Sequence, residues 1–343
     1  MKPSIALFTG DPAGVGPELV ARLLSDGSAS RAANILLVGS RESIDEGMRT
    51  AGCRFTYQVG EAATARGRDL DEPLLVAGPT LSRGGFQRGV VTAEAGRYML
   101  DSLSFAIELW RAGAAAALCF APLNKAALRA GGMDHPDELH WFCEKLDFRG
   151  ASVELNVLEG LWTSRVTSHV PLADVARLIT REAVAQMIGL ITGSLQSAGI
   201  PHPRIAVCGL NPHNGDGGAY GREEIDVIEP GVALARTRGF AADGPFPADT
   251  IFVRATRKDG GYDGVVTMYH DQGQIAMKLL GFERGVTVQG GLPLPITTPA
   301  HGTAYDIAGL GKAHPGAMKN AFALACRMAG HGSQEGSRTA AAA

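Results

Sequence analysis

The sequence predicts a two-domain α/β/α protein with mostly parallel sheets. Three observations carry that prediction. Apolar, β-prone runs alternate with amphipathic segments nearly throughout, as in βαβ units. The 45 glycines cluster in the connections between those segments, as expected where backbone approaches a ligand. The 343 residues suffice for about two domains, and 45% hydrophobic residues allow a substantial core.

Taken in order, Ser4–Phe8 reads as a buried strand and Thr9–Gly16 as a glycine-rich turn. Pro17 suits a first helical position, and the helix continues over Glu18–Leu24. Ile35–Val38 is a short strand. Glu94–Trp110 spaces Ala95, Tyr98, Met99, Leu103, Ala106, Leu109 and Trp110 for one helix face. Ala115–Phe120 is a strand, and Ser152–Leu158 and Trp162–Ser168 are two β-rich runs. A helix over Arg181–Gln196 has Thr180 as its N-cap. Ile205–Gly209 and Gly264–Tyr269 are strands, Arg222–Arg238 a helix, and Pro315–Met328 a closing helix. Residues 331–343 are rich in Gly, Ser and Ala and are expected to be disordered.

Composition excludes several function classes. Net charge is −3 with no dense Lys/Arg run, which argues against nucleic-acid binding. No window reaches the ~18 apolar residues of a membrane span, and the apolar run at the N-terminus is too short for a signal peptide. The five cysteines are scattered without paired spacing, so no disulfide framework is expected. The expectation is a soluble, cytoplasmic protein acting on a small molecule.

Three histidines follow apolar runs and precede turns: His169 in Thr167-Ser-His-Val-Pro171, His213 in Asn211-Pro-His-Asn-Gly215, and His270 in Met268-Tyr-His-Asp-Gln272. Side chains at strand C-termini in α/β proteins converge on a ligand crevice. Three imidazoles gathered there can hold a divalent metal with a position open for substrate. The plainer alternative is three unrelated loop histidines. The loop Gly10-Asp-Pro-Ala-Gly-Val-Gly16 lacks the Lys-Ser/Thr pair of a P-loop and the G-x-G-x-x-G spacing. It is either a tight strand-to-helix turn or a place where backbone meets ligand, and Asp11 is its expected substrate contact.

The run Gly290–Gly309 is more specific. Its second half, His301-Gly-Thr-Ala-Tyr-Asp-Ile-Ala-Gly309, resembles the adenosine-binding loop of the isocitrate and isopropylmalate dehydrogenases. That resemblance implies NAD bound by His301, Gly302, Thr303 and Asp306, with Gly291 at the head of the run. Asp306 accepts from ribose hydroxyls and repels the extra phosphate of NADP, or else caps the following turn.

Six stretches in this order resemble the 4-hydroxythreonine-4-phosphate dehydrogenase family. They are Gly10–Glu18, Thr167–Leu172, Cys208–His213, Gly244–Thr250, Met268–Gly273 and His301–Ala304. With their flanks, the resemblance covers residues 4 to about 328. It implies an isocitrate/isopropylmalate dehydrogenase-like fold and a homodimer of two-domain subunits. It implies a divalent metal (zinc first; magnesium, manganese or cobalt as alternatives) held by His169 and His213, with His270 from the second subunit. NAD is the implied hydride acceptor. The implied domains are residues 1–125 with 275–330 for NAD, and 126–274 for metal and dimerisation.

The implied reaction oxidises a secondary hydroxyl in a small hydroxy acid, with decarboxylation of the β-keto acid to follow. Asp249 and Asp271 are expected to hydrogen-bond the imidazoles or relay the proton, and Lys278 to meet an anion or the developing oxyanion. The chain departs from the family at the phosphate grip. Where phosphate-substrate members carry Gly-His-Thr-Glu, it reads Asp137-Glu-Leu-His140; Ile296 replaces an Arg and Thr287 an Asn. Losing Arg and gaining Glu138 weakens dianion binding, at about 1.5–3 kcal/mol per lost charged hydrogen bond. Glu138, His140 and Thr287 are therefore expected to line a substrate pocket for a different hydroxy acid. A terephthalate cis-dihydrodiol is one alternative substrate. A non-redox acyl- or phosphoryl-transfer enzyme of the same architecture is a second alternative.

Overall fold

A computed structural model describes residues 1–81, 84–257 and 261–340, with side chains described to residue 331. Twelve strands occur among them: β1 (Ser4–Phe8), β2 (Asn34–Val38), β3 (Gln58–Gly60), β4 (Leu74–Val76), β5 (Ala117–Phe120), β6 (Val153–Leu158), β7 (Leu161–Arg165), β8 (Ile205–Cys208), β9 (Ala242–Phe246), β10 (Gly264–Thr267), β11 (Val286–Gly290) and β12 (Ile296–Pro299). The chain forms two compact units, Met1–Arg149 with Leu292–Ala343, and Gly150–Gly291.

In the first unit the strand order is β3-β4-β2-β1-β5-β12, and every pairing is parallel. Parallel strands need both faces covered, and β1, β2 and β5 are accordingly apolar and buried almost without alternation. The helix Ala93–Arg111 starts at Thr92, whose side chain accepts from the Ala95 amide. It buries Tyr98, Met99, Leu103, Ala106 and Ile107 in the core. The helix Gly16–Leu24 begins just ahead of Pro17, which has no amide hydrogen to leave unpaired.

In the second unit the order is β11-β6-β7-β10-β8-β9. Here β6 runs antiparallel to both neighbours, and the other pairings are parallel. Thr180 caps the helix Arg181–Ser197 by accepting from the Ala183 amide. The single helix expected over Arg222–Arg238 is instead a π-helical turn, Glu224–Ile228, followed by an α-helix, Glu229–Thr237. Pro230 supplies the reason: it offers no N–H to an i→i−4 bond, and the ladder widens ahead of it.

The units divide after Arg149 and Gly291, later than the expected limits near 125 and 274. Trp141 and Phe142 explain the first shift. They lie in the first unit's core, where Phe142 meets Phe120 at 6.0 Å between ring centroids. The backbone ladder between β11 and β6 explains the second. The closing helix is Gly316–Ala340. The disordered tail expected from 331 falls, beyond His331, on residues whose side chains lie outside the described ones. Residues 341–343 lie outside them altogether. Cys53, Cys119, Cys208 and Cys326 are free thiols, and burial pushes Cys119 up to about 12, so it is inert at neutral pH. No helix among the described residues is long and apolar enough to cross a membrane.

Candidate active site

In the second unit, β7 and β10 are parallel neighbours, with Arg165 opposite Thr267. The residues just beyond their C-terminal ends therefore come side by side. The rings of His169 and His270 lie 5.7 Å apart between centroids, tilted by 38°. His270 opens the helix His270–Gly281, and its Nδ1 sits 2.7 Å from Asp271 Oδ1. With that nitrogen held by the carboxylate, the Nε2 lone pair is free to ligate. Neither Nε2 has a protein hydrogen-bond partner among the described residues. His169 Nδ1 is 3.5 Å from Ser168 Oγ.

His213 follows β8, one strand further along the sheet. Its ring lies 6.4 Å from that of Tyr220. Among the described residues, no group of three His, Cys, Asp or Glu side chains could hold a metal ion. The family resemblance paired His169 with His213 and drew His270 from a second subunit. Within one chain, the ring that meets His169 is that of His270, because their strands are adjacent. Two imidazoles with open Nε2 atoms, one oriented by a carboxylate, fit a divalent ion that still needs further ligands.

Backbone conformation marks the same loops. His169 has φ +52°, and His213, Asn214, Gly215, Asp216 and Gly217 form an unbroken left-handed run. Non-glycine residues adopt positive φ only a few per cent of the time, and such strain concentrates at functional turns. Glu224 holds the start of this run. Its Oε1 accepts from the Leu210 and Asn211 amides at 2.7 Å each, and Oε2 from Asn211 Nδ2 at 3.0 Å. Burial works to raise the Glu224 pKa, but the hydrogen bonds from Asn211 and Leu210 outweigh it and hold the carboxyl below its ordinary value. Gln272 accepts from the Met268 amide and donates to the Gly209 carbonyl, tying the His270 turn to the His213 loop. Sequence alone marks neither for this role: Glu224 lies in none of the six stretches, and Gln272 lies in Met268–Gly273 as an uncharged neighbour of His270.

Of the expected acid–base groups here, Asp271 bonds an imidazole. Asp249 is exposed in the first turn of the helix Ala248–Ala255 and meets none among the described residues. Lys278 is exposed on the helix His270–Gly281. Thr287 is buried on β11 opposite Asn156, whose Nδ2 donates to its Oγ1 at 3.4 Å. Gly291 has φ +86°, and a Cβ there would lie 2.3 Å from the Ala151 carbonyl oxygen. Packing alone therefore accounts for that glycine.

In the first unit, the loop after β1 interlocks with the loop His301–Gly311. The Val15 amide donates to the Thr303 carbonyl at 3.0 Å, and a Cβ at Gly14 would lie 2.8 Å from that same oxygen. Tyr305 Oη donates to Asp11 Oδ2 at 2.6 Å, and the Ala13 amide donates to Oδ1 at 2.9 Å. Asp11 is fully buried with both oxygens engaged, so it shapes the loop and has no face left for substrate. Burial raises its pKa against the lowering effect of those two hydrogen bonds. Glu18 Oε1 accepts from the Ala313 amide and from Arg22, and Arg22 also donates to the Gly311 carbonyl. The result is a braced loop whose outer groups remain open: Gly302 and Asp306 are exposed, and His301 is half-buried with Nδ1 3.0 Å from the Gly302 carbonyl. An exposed carboxylate, an open glycine amide and a ring suit an adenosine moiety.

Also in this unit, Asp137 caps the helix Glu138–Lys145 and holds the His140 amide and Nδ1. Glu138 lies 3.8 Å from Lys125 Nζ. Trp141 is core, with its ring 5.2 Å from that of Phe142. Ile296 is fully buried.

Residues 31–325 match the family model described as pyridoxal phosphate biosynthetic protein PdxA. The chain belongs to the PdxA family. A Pseudomonas aeruginosa protein provisionally named 4-hydroxythreonine-4-phosphate dehydrogenase 2 is 55% identical over 331 residues, covering 96% of this chain and 98% of its own. The 4-hydroxythreonine-4-phosphate dehydrogenase structure from Klebsiella pneumoniae superposes with a TM-score of 0.83 at 35% identity, over 96% of this chain and 98% of that one. A terephthalate 1,2-cis-dihydrodiol dehydrogenase structure from Burkholderia xenovorans gives a TM-score of 0.66 at 28% identity, over 95% and 98%. These matches make the chain a member of a dehydrogenase family, with the mostly parallel α/β architecture expected from its sequence.

Proposed function

We propose that this PdxA-family protein oxidises a secondary hydroxyl of a small hydroxy acid, with NAD as hydride acceptor and a divalent metal at the His169–His270 pair. The observation that carries the reading is that pair itself: two adjacent imidazoles with unengaged Nε2 atoms, one oriented by Asp271. When bound, the cation supplies positive charge that stabilises an oxyanion at the reacting carbon, and zinc, magnesium, manganese or cobalt can each do so.

The protein's own groups do the rest. His301, Gly302, Thr303 and Asp306 hold the nicotinamide nucleotide, with the loop beneath them braced by Asp11, Glu18 and Tyr305. Asp306 accepts from ribose hydroxyls and disfavours a 2′-phosphate, which selects NAD over NADP. Asp271 keeps His270 in one tautomer. Lys278 meets an anionic group of the substrate, and Asp249 takes up or passes on the hydroxyl proton. Glu138, His140 and Thr287 line the substrate. Decarboxylation of the β-keto acid follows where the substrate carries a carboxylate on the adjacent carbon.

A homodimer completes the metal's coordination, His213 of a second copy being the third imidazole. Support comes from the second unit's surface: Ile275, Leu279 and Phe282 are more than half exposed on and just past one helix, as are Leu172 and Tyr220.

The substrate is unphosphorylated on this reading. Ile296 is buried in the core, Thr287 is hydrogen-bonded to Asn156, and Glu138 adds negative charge, so no phosphate grip is present among them. The likeness to the terephthalate dihydrodiol enzyme supports an aromatic cis-diol acid as a second substrate reading. The test is NADH formation with phosphorylated and unphosphorylated hydroxy acids, before and after chelation. Metal-dependent turnover of an unphosphorylated acid is expected. NADH formation unaffected by chelation, or restricted to phosphate esters, overturns the reading.

A further inference from the structure

Beneath the two histidines lies a buried polar cluster that no part of the proposed chemistry uses. Its centre is Arg165, the last residue of β7, whose side chain is only 5% exposed. All three guanidinium nitrogens are engaged. Nε donates to Ser168 Oγ at 2.9 Å, Nη1 to Asn156 Oδ1 at 3.0 Å, and Nη2 to Glu154 Oε1 at 3.0 Å. Asn156 Oδ1 also accepts from Gln274 Nε2.

Two arms leave this centre. One runs through Ser168, the neighbour of His169, whose oxygen is 3.5 Å from the His169 ring. The other runs through Asn156 to Gln274, four residues after His270 and so on the same helical face. Each arm reaches the element that presents one of the paired rings.

We propose that Arg165 is a positioning residue for the His169–His270 pair, fixing the separation of the two rings through Ser168 on one side and Asn156–Gln274 on the other. A planar fork with directional donors suits this task, whereas an ammonium offers no fixed geometry. Glu154 neutralises the buried cation, so the fork does not need an anion from a ligand. The inference rests on the metal reading above, because it assigns the ring separation a purpose.

The test is Co²⁺ titration of the metal-stripped full-length protein, followed by the visible absorption of the bound ion. Four proteins are compared: wild type, Ser168→Ala, Gln274→Ala and Arg165→Lys. Each of the two single-arm variants cuts one arm: Ser168→Ala leaves Arg165 its bonds to Asn156 and Glu154, and Gln274→Ala leaves all three of its bonds in place, so both retain the fold. Loss of an outer-shell partner lowers metal affinity on the order of 10- to 100-fold. That loss is expected in both single-arm variants, with an altered absorption band, and Arg165→Lys fails to restore wild-type affinity. A residue that only stabilises the fold shifts the melting temperature and leaves Co²⁺ affinity and band shape unchanged; that result overturns the proposal. Wild-type protein that takes up no Co²⁺ overturns the metal reading and this inference together. Wild-type uptake matched by all three variants sinks the inference alone.

Discussion

The hydroxyl of Tyr305 donates to the buried carboxylate of Asp11 at 2.6 Å, joining positions 294 residues apart in the chain. Asp11 lies in the turn after the first strand, and Tyr305 in the loop proposed to hold adenosine. One short contact thus couples the beginning of the fold to the place where the nucleotide is expected.

Removing that donor has a direct consequence. Tyr305→Phe strips Asp11 of one hydrogen bond while leaving it buried, which costs about 1.5–3 kcal/mol for a bond to a charged group. Urea unfolding of the two proteins side by side measures it. The same change loosens the loop and raises the NADH dissociation constant, read by nucleotide fluorescence.

Asp11 also sets a pH dependence. Burial, opposed by the hydrogen bonds from Tyr305 and Ala13, raises its pKa above 3.8 in the folded protein. Below 3.8 both states are protonated. As pH rises through the window up to the folded value, the unfolded carboxyl ionises first, so stability is lost across that window and stays lower above it. Asp11→Asn removes this contribution. The difference in unfolding free energy between wild type and variant shrinks below the window and widens in the variant's favour above it; a pH-independent difference refutes the account.

Gly14→Ala tests the interlocked loops by crowding. A Cβ there falls 2.8 Å from both the Thr303 carbonyl oxygen and Thr303 Cβ, and the backbone oxygen cannot step aside without moving the loop. Overpacking of this kind costs about 1–3 kcal/mol. The expected signature is a several-fold rise in KM for NAD with little change in Co²⁺ affinity, since the imidazoles lie in the other unit.

Leu279→Lys tests the dimer. Leu279 is 83% exposed, so the change barely affects a single chain. If a second copy covers this helix, the substitution buries a charge at the interface and shifts the protein to monomer in light scattering. A wild type that is already monomeric, or a variant that stays dimeric, removes this face from consideration.

Much of the architecture is legible in the chain because buried parallel strands leave near-continuous apolar runs, as at Ile35–Val38 and Ile205–Cys208. The short strands Gln58–Gly60 and Leu74–Val76 escape such a reading, since three residues show no period. The helix His270–Gly281 escapes it for a different reason: Ile275, Leu279 and Leu280 face outward, which blurs its amphipathic signal. The histidines were visible as strand-end residues, but which two of them meet depends on strand order, which local pattern does not encode. The sequence context of Asp11 cannot distinguish a carboxylate aimed at a ligand from one aimed at Tyr305, which is the partner it has in the fold. Arg165, Glu154 and Asn156 carry no motif. Because β6 runs against its neighbours, Glu154 near its start comes alongside the end of β7 and Asn156 pairs with Thr163 in the middle of that strand, and a search confined to strand exits passes over both.

The left-handed run from His213 to Gly217 sets a trade between robustness and purpose. Three of its five members have side chains, and each holds a conformation that disfavours L-residues by about 1–2 kcal/mol, less for Asn and Asp. Replacing Asn214 or Asp216 with glycine would therefore relax the turn locally. In this chain the bend carries His213, Asn214 and Asp216 where glycine would sit more easily, and so holds three polar side chains at a cost in local stability.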